Sequence, residues 1–360
     1  MGSKVILKKF IDPPLDWDRN LLDAYKETNF CQSVVFSRIW NKVYNSIPLF
    51  FEVTYKNKLF GFLQISHTIP ENLSVIKKII GLNKGWIEWL DGPILLNNPY
   101  NTLDLLLKEI DNYCAQKKIN LIKCNGFAHT SKYANDLKIM QVFLKNGYTV
   151  SKWATYLVDL TLDENELWAN LKKTARKMVK KSNSLAVKVN KVNTFEELLD
   201  KFHKSYCETE SFYGRLKKSD WIAKVQWEED IDNNYHYYYA ETQDGQVVGT
   251  LGMYIFNGVA TEISSCLTPY AYENEIPAQD ILHWVMFLEA KKMGCHTFDL
   301  AGINPNPTNE KERGIRRFKE KWNGQYIEYY TYKKTHGLLK IYTIIMGLIQ
   351  TKNIKARNND

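Results

Sequence analysis

Leu49-Phe-Phe-Glu-Val-Thr-Tyr-Lys-Asn-Lys-Leu-Phe-Gly-Phe-Leu-Gln-Ile-Ser66 reads as strand, turn and strand, with Lys56–Lys58 at the turn. A second stretch echoes it: His236-Tyr-Tyr-Tyr-Ala-Glu-Thr-Gln-Asp-Gly-Gln-Val-Val-Gly-Thr-Leu-Gly-Met-Tyr-Ile255. There Asp244-Gly245 supplies the residues a tight hairpin favours. Both second strands carry a glycine soon after the turn, Gly61 and Gly249. A glycine inside a strand marks a bulge or a close backbone approach.

The echo continues outward. Each hairpin is followed by further strand, a helix and another strand: Thr102–Lys117 then Leu121–Cys124, and Ala278–Lys292 then His296–Leu300. A β-β-β-α-β unit met twice predicts a tandem α/β (α+β) protein, each half a mixed central sheet flanked by helices. The strand Thr155–Leu160 opens the second half, so the domains are set at 1–153 and 154–330. Residues 331–360 form a C-terminal helix and tail, expected to pack on the first domain. A length of 360 residues suits two domains, and 44% apolar residues suffice for two cores.

A net charge of +8 favours an anionic partner: a nucleotide, a phosphorylated lipid, RNA or a membrane face. Six cysteines without a C-x-x-C pair give no metal motif and read as buried thiols in a reducing compartment. The first ten residues contain no apolar leader, and no run reaches the roughly 18 apolar residues that span a bilayer. The location expected is therefore cytoplasmic. Leu338–Ile349 comes closest to a span, but it is short and contains Lys340.

Four segments can carry chemistry. Residues 172–191 hold eight Lys and Arg and no acid. On a helix starting near Glu164, Lys173, Arg176, Lys177 and Lys180 share one face, which either attracts phosphate or is simply solvated. Asp299–Thr308 leaves the C-terminal end of a strand, where α/β sheets bind ligands, and adds Asn304 and Asn306. The alternative is an ordinary surface loop. In Arg313–Gly324, Lys319 can give a point charge to a phosphate or a developing oxyanion, or lie on the surface. Phe318 and Trp322, four apart, face the core. Cys207–Arg215 brings Tyr213 and Arg215, a stacking and a cationic group. The chain has no Gly-x-Ser-x-Gly, no H-E-x-x-H and no P-loop.

The order of these segments resembles the Fem family of peptidoglycan-bridge aminoacyltransferases. The likeness runs through Thr155–Leu160, Glu166-Leu-Trp with Arg176, Ile281–Trp284, Ala290–Gly302 and Gly314–Gly324. In the first half, Gln32-Ser33 with Trp40, and Gly92-Pro93, agree with it. The resemblance implies two GNAT-like acyltransferase domains. It also implies an aminoacyl group moved from charged tRNA to an amine of a nucleotide- or lipid-linked cell-envelope precursor, with no bound cofactor. By analogy Lys319 is catalytic, and Arg176, Tyr213, Arg215, Glu262, Asp299, Asn304 and Phe318 bind substrate. The chain departs from the family beside Glu262, where a tyrosine is often found, and near residue 215, where Arg215 stands in for a family arginine. No general base is identified, which leaves substrate-assisted proton transfer as an open route for the acceptor amine. An acyl-CoA donor is the alternative, although the usual pyrophosphate loop is missing before Ala278. A peripheral contact with the inner membrane face suits a lipid-linked acceptor.

Overall fold

The computed structural model describes residues 5–71, 73–214, 220–230 and 233–346. Arg215 and residues 347–349 of the apolar C-terminal stretch lie outside them. The chain forms two compact units, 1–151 with 329–360, and 152–328.

The first unit starts with β1 (Ile6–Phe10), α1 (Trp17–Asp23), α2 (Val34–Tyr44) and the hairpin β2 (Ser46–Tyr55) and β3 (Lys58–Thr68). It continues through α3 (Val75–Ile79), β4 (Trp86–Trp89), β5 (Ile94–Leu95), α4 (Pro99–Lys117), β6 (Leu121–Cys124) and α5 (Leu137–Lys145). Strand β7 (Thr149–Asp159) carries the chain into the second unit. There follow α6 (Glu164–Asn170), α7 (Lys173–Ser184), β8 (Lys188–Lys191), α8 (Phe195–Glu197), a π-helical stretch Leu198–His203, α9 (Lys204–Phe212) and α10 (Asp220–Glu229). The second hairpin is β9 (Tyr235–Glu241) and β10 (Val247–Phe256). After it come β11 (Val259–Leu267), α11 (Pro269–Glu273), α12 (Ala278–Lys292), β12 (Thr297–Asp299), α13 (Glu310–Glu320) and β13 (Gln325–Thr335).

Both units repeat one plan. In the first, β2 and β3 pair antiparallel, β3 pairs antiparallel with β4, and β4 runs parallel to β6. In the second, β9, β10 and β11 are antiparallel neighbours and β11 runs parallel to β12. The crossover in each case is a helix, α4 or α12, whose apolar side covers the sheet. Leu103, Leu106, Leu107 and Ile110 of α4 belong to the first core, and Ile281, Leu282, Met286 and Phe287 of α12 to the second. Both hairpin glycines sit beside bulges, where a β-carbon would meet the neighbouring strand: Ile94 O at 2.8 Å from Gly61 and Cys266 O at 3.1 Å from Gly249.

The strand that completes each sheet comes from an unexpected part of the chain. Residues 332–335 of β13 pair with β6 in the first unit, and residues 157–159 of β7 pair with β12 in the second. Residues 329–335 are therefore strand of the first unit, where the sequence suggested the close of one domain and the start of a tail. Of the helical residues 337–346 only Leu339 is buried, so the expected packing of this helix is confined to that side chain.

The basic helix is also two helices. Asp163 caps α6 through a capping box with Glu166. The chain then turns extended at Leu171 and Lys172 before α7 starts. Lys172 N bonds Lys321 O at 3.0 Å, and this tertiary bond fixes the break.

Candidate active site

Strands β11 and β12 pair side by side only from Val259↔Thr297 to Thr261↔Asp299. Beyond that point they part, and β11 bulges. Gly252 faces Ile263 and Thr250 faces Cys266, so Ser264 and Ser265 stand opposite Leu251 alone. Ser264 takes a positive φ of 49° there, the left-handed backbone that frees a strand from its ladder.

Lys319 fills the mouth of this opening. It lies near the end of α13, which Asn309 caps by accepting Glu312 N at 2.9 Å. Although charged, Lys319 is only 8% exposed. Its ammonium donates to Leu300 O and, at 3.4 Å, to Ala301 O, and it lies 3.7 Å from the Glu262 carboxylate. An ammonium has three N–H donors, and these three acceptors match them. A buried cation needs such partners, because desolvation without them costs several kcal/mol.

Each partner is itself held. Asp299 is buried and accepts Thr155 Oγ1 at 2.6 Å and Ala301 N at 2.9 Å. This turn presents the Ala301 carbonyl with Ala301 at φ 60°. Glu262 is 3.5 Å from His283 Nε2. Burial alone would raise its pKa, but the Lys319 charge and the His283 hydrogen bond outweigh it and hold the carboxyl below its ordinary value. His283 Nδ1 meets Gln279 O at 2.7 Å, and its ring stacks on Trp322 at 5.4 Å. Phe318 meets the His283 ring edge-on at 4.9 Å. A second ion pair, half-buried Lys321 with buried Asp280 at 2.6 Å, adjoins this aromatic wall, with the Lys321 ammonium 3.9 Å from the Phe318 ring centre. Burial raises the Asp280 pKa and lowers that of Lys321, each against the pull of its partner.

The structure thus brings together Lys319, Glu262, Asp299 and Phe318. Asn304 lies at the other end of α13, donating to Glu312 Oε2 at 3.0 Å and accepting Asn306 N at 2.9 Å, where it shapes the loop before the helix. Tyr213 is exposed, with Lys311 at 5.9 Å from its ring centre. The Arg176 guanidinium donates to Ala169 O at 2.6 Å and Trp168 O at 3.4 Å, capping the C-terminal end of α6. Nothing local marks Thr155, which meets Asp299 across 144 positions. The Ser264 bulge and the π-helical Leu198–His203 were also missed. They line one small cavity with Tyr206 and Tyr237. A doubled serine within an apolar strand was the one local hint of the bulge.

Residues 228–332 match the model of the FemAB family. A search of curated proteins found no match. Among solved structures, a crystal structure of FemX superposes with a TM-score of 0.70 at 11% identity, covering 94% of this chain and 99% of that one. A tandem GNAT protein from the clavulanic acid biosynthesis pathway gives 0.57 at 8% identity, covering 93% and 99%. The C-terminal domain of a putative lysylphosphatidylglycerol synthetase from Agrobacterium fabrum gives 0.56 at 10% identity, covering 91% and 93%. At these identities the structural likeness concerns the fold, two GNAT-like domains in tandem.

Proposed function

We propose, from the premise that the chain is a Fem-type acyltransferase, that it moves an aminoacyl group from aminoacyl-tRNA to an amine of a cell-envelope precursor of the peptidoglycan type. The observation that carries this reading is the buried Lys319 at the mouth between β11 and β12. The acceptor amine attacks the ester carbonyl of the donor. An N–C bond forms, the ester C–O bond breaks, and the amine proton passes to the departing ribose oxygen. Negative charge grows on the carbonyl oxygen during attack. A fixed ammonium in a site of low polarity stabilises that charge more than water does. The longer contact to Ala301 O is the one a substrate oxygen replaces. Glu262 and Asp299 act as positioning residues: one holds the ammonium, the other the carbonyl turn beneath it.

Two further features favour tRNA over acyl-CoA as donor. Lys173, Lys177 and Lys180 are exposed along α7 and offer charge to a phosphate backbone. The N-terminal end of α12, where a pyrophosphate would gain from the helix dipole, already carries buried Asp280 in its first turn. Labelled aminoacyl-tRNA and acetyl-CoA, each supplied separately with cell-envelope precursor extract, test the donor. Label moving from tRNA to the precursor is the expected result, and transfer from acetyl-CoA alone overturns the donor assignment.

A further inference from the structure

We propose that one end of the first unit docks on an anionic lipid bilayer. Two short helical segments there expose large aliphatic side chains. In α3, Val75, Ile76 and Ile79 are 71%, 62% and 64% exposed. In residues 337–346, Leu338, Ile341, Tyr342 and Ile345 recur at spacings of three, four and seven, and are 57%, 56%, 40% and 49% exposed. That spacing is one face of a helix. Asn120 joins the two segments: its side chain donates to Gly81 O at 3.3 Å, just past α3, and its carbonyl accepts His336 N at 2.9 Å, just before the helical residues.

The charge these segments carry is mostly positive, with Asp111 paired to Lys334 at 2.7 Å just before the second of them. Residues 73–87, 112–135 and 329–359 contain no Asp or Glu. Lys77, Lys78, Lys84, Lys117, Lys118 and Lys340 lie in these runs and are exposed. Aliphatic side chains rimmed by lysines match the boundary between acyl chains and anionic headgroups, where the aliphatics enter and the ammonium groups stay at the surface. An RNA backbone would satisfy the lysines but leave the isoleucines in water. Among the described residues no helix is long and apolar enough to cross a membrane, so the contact is with one face of the bilayer.

This inference does not depend on the donor or acceptor proposed above, and its test needs neither. Full-length protein is sedimented with vesicles of phosphatidylcholine alone and of phosphatidylcholine with phosphatidylglycerol. The expected result is several-fold more bound protein on the anionic vesicles, with binding falling as salt rises. Ile341→Asp with Ile345→Asp, and separately Lys77→Glu with Lys78→Glu, should each lower the bound fraction several-fold. The replaced side chains are exposed, so melting temperatures should stay near that of the wild type. Vesicle binding that is unchanged in both variants overturns the proposal. So does a wild-type dimer that Ile341→Asp dissociates while vesicle binding is absent, because a second copy would then be what covers the face. Binding of tRNA that Lys77→Glu with Lys78→Glu abolishes, without vesicle binding, also overturns it.

Discussion

The two units solve the same local problem in opposite ways. Among the described residues each contains a parallel strand pair at the end of its helical crossover. In the first unit the pair β4 and β6 stays joined past its last ladder position, with Asn125 N to Trp89 O at 3.1 Å and Gly92 N to Gly126 O at 3.0 Å. Neutral Gln32 then locks the adjoining backbone, donating to Leu90 O at 2.7 Å and Gln64 O at 3.2 Å and accepting Gln64 N at 2.8 Å. In the second unit the backbone pairing between β11 and β12 stops at Asp299, and the ammonium of Lys319 takes up the carbonyls beyond it. One fold plan therefore yields a closed seam bridged by the Gln32 amide and an open one bridged by the Lys319 ammonium. The open seam is the one to which the proposed function assigns charge stabilisation.

The largest effect should come from separating the charges in the open seam. Lys319→Met leaves Glu262 buried without its cation and should destabilise the protein by about 3–5 kcal/mol. Lys319→Met combined with Glu262→Gln should regain most of that loss, because both partners are then neutral. Chemical denaturation of the three variants measures this coupling, and additive losses would show that the pair is not a unit.

Acid should expose the same pair in the wild type. The Glu262 carboxyl is held below its ordinary value of 4.5 in the folded protein, so its contribution is present above that pH and is lost as the pH falls through the lower folded value. Stability measured from neutral pH into this window should fall in the wild type and fall less steeply in Glu262→Gln. Equal slopes would mean that the carboxyl is not held down by folding.

The closed seam should respond in stability alone. Gln32→Ala removes three hydrogen bonds to buried backbone groups and should cost about 1–3 kcal/mol. Its transfer rate per folded molecule should match the wild type, and a rate defect would assign chemistry to the first unit as well. The smallest difference concerns the paired hairpin glycines. Gly61→Ala should destabilise by about 2 kcal/mol and Gly249→Ala by about 1 kcal/mol, the order following the tighter approach at Gly61. Thermal melts of the two variants rank them.

The sequence was most readable where structure is local. The strand Leu121–Cys124 and the helix Ala278–Lys292 have the bounds that their periodicity and flanking turns suggest. Asp163 caps its helix because the capping box lies within four residues. The break between α6 and α7 has no proline or glycine to announce it and depends on a bond from Lys172 to Lys321. Lys319 could be picked out by the motif around it, yet its burial follows from carbonyls just past β12 and a carboxylate on β11. The part played by Asp299 needs Thr155, and the hairpin-like strands gave no hint that β7 and β13 each complete a sheet distant in sequence. Contacts made across more than a hundred positions leave no spacing to read.

The most direct test is the single-turnover transfer rate of the Lys319→Met, Glu262→Gln double variant, whose fold should be intact and whose open seam is uncharged. Rates from pre-charged aminoacyl-tRNA would be compared with those of the wild type and Gln32→Ala. A loss of about 100-fold or more in the double variant alone is the predicted result, in line with removal of one oxyanion-stabilising group. A rate equal to the wild type would contradict the assignment of the charged seam as the reacting centre.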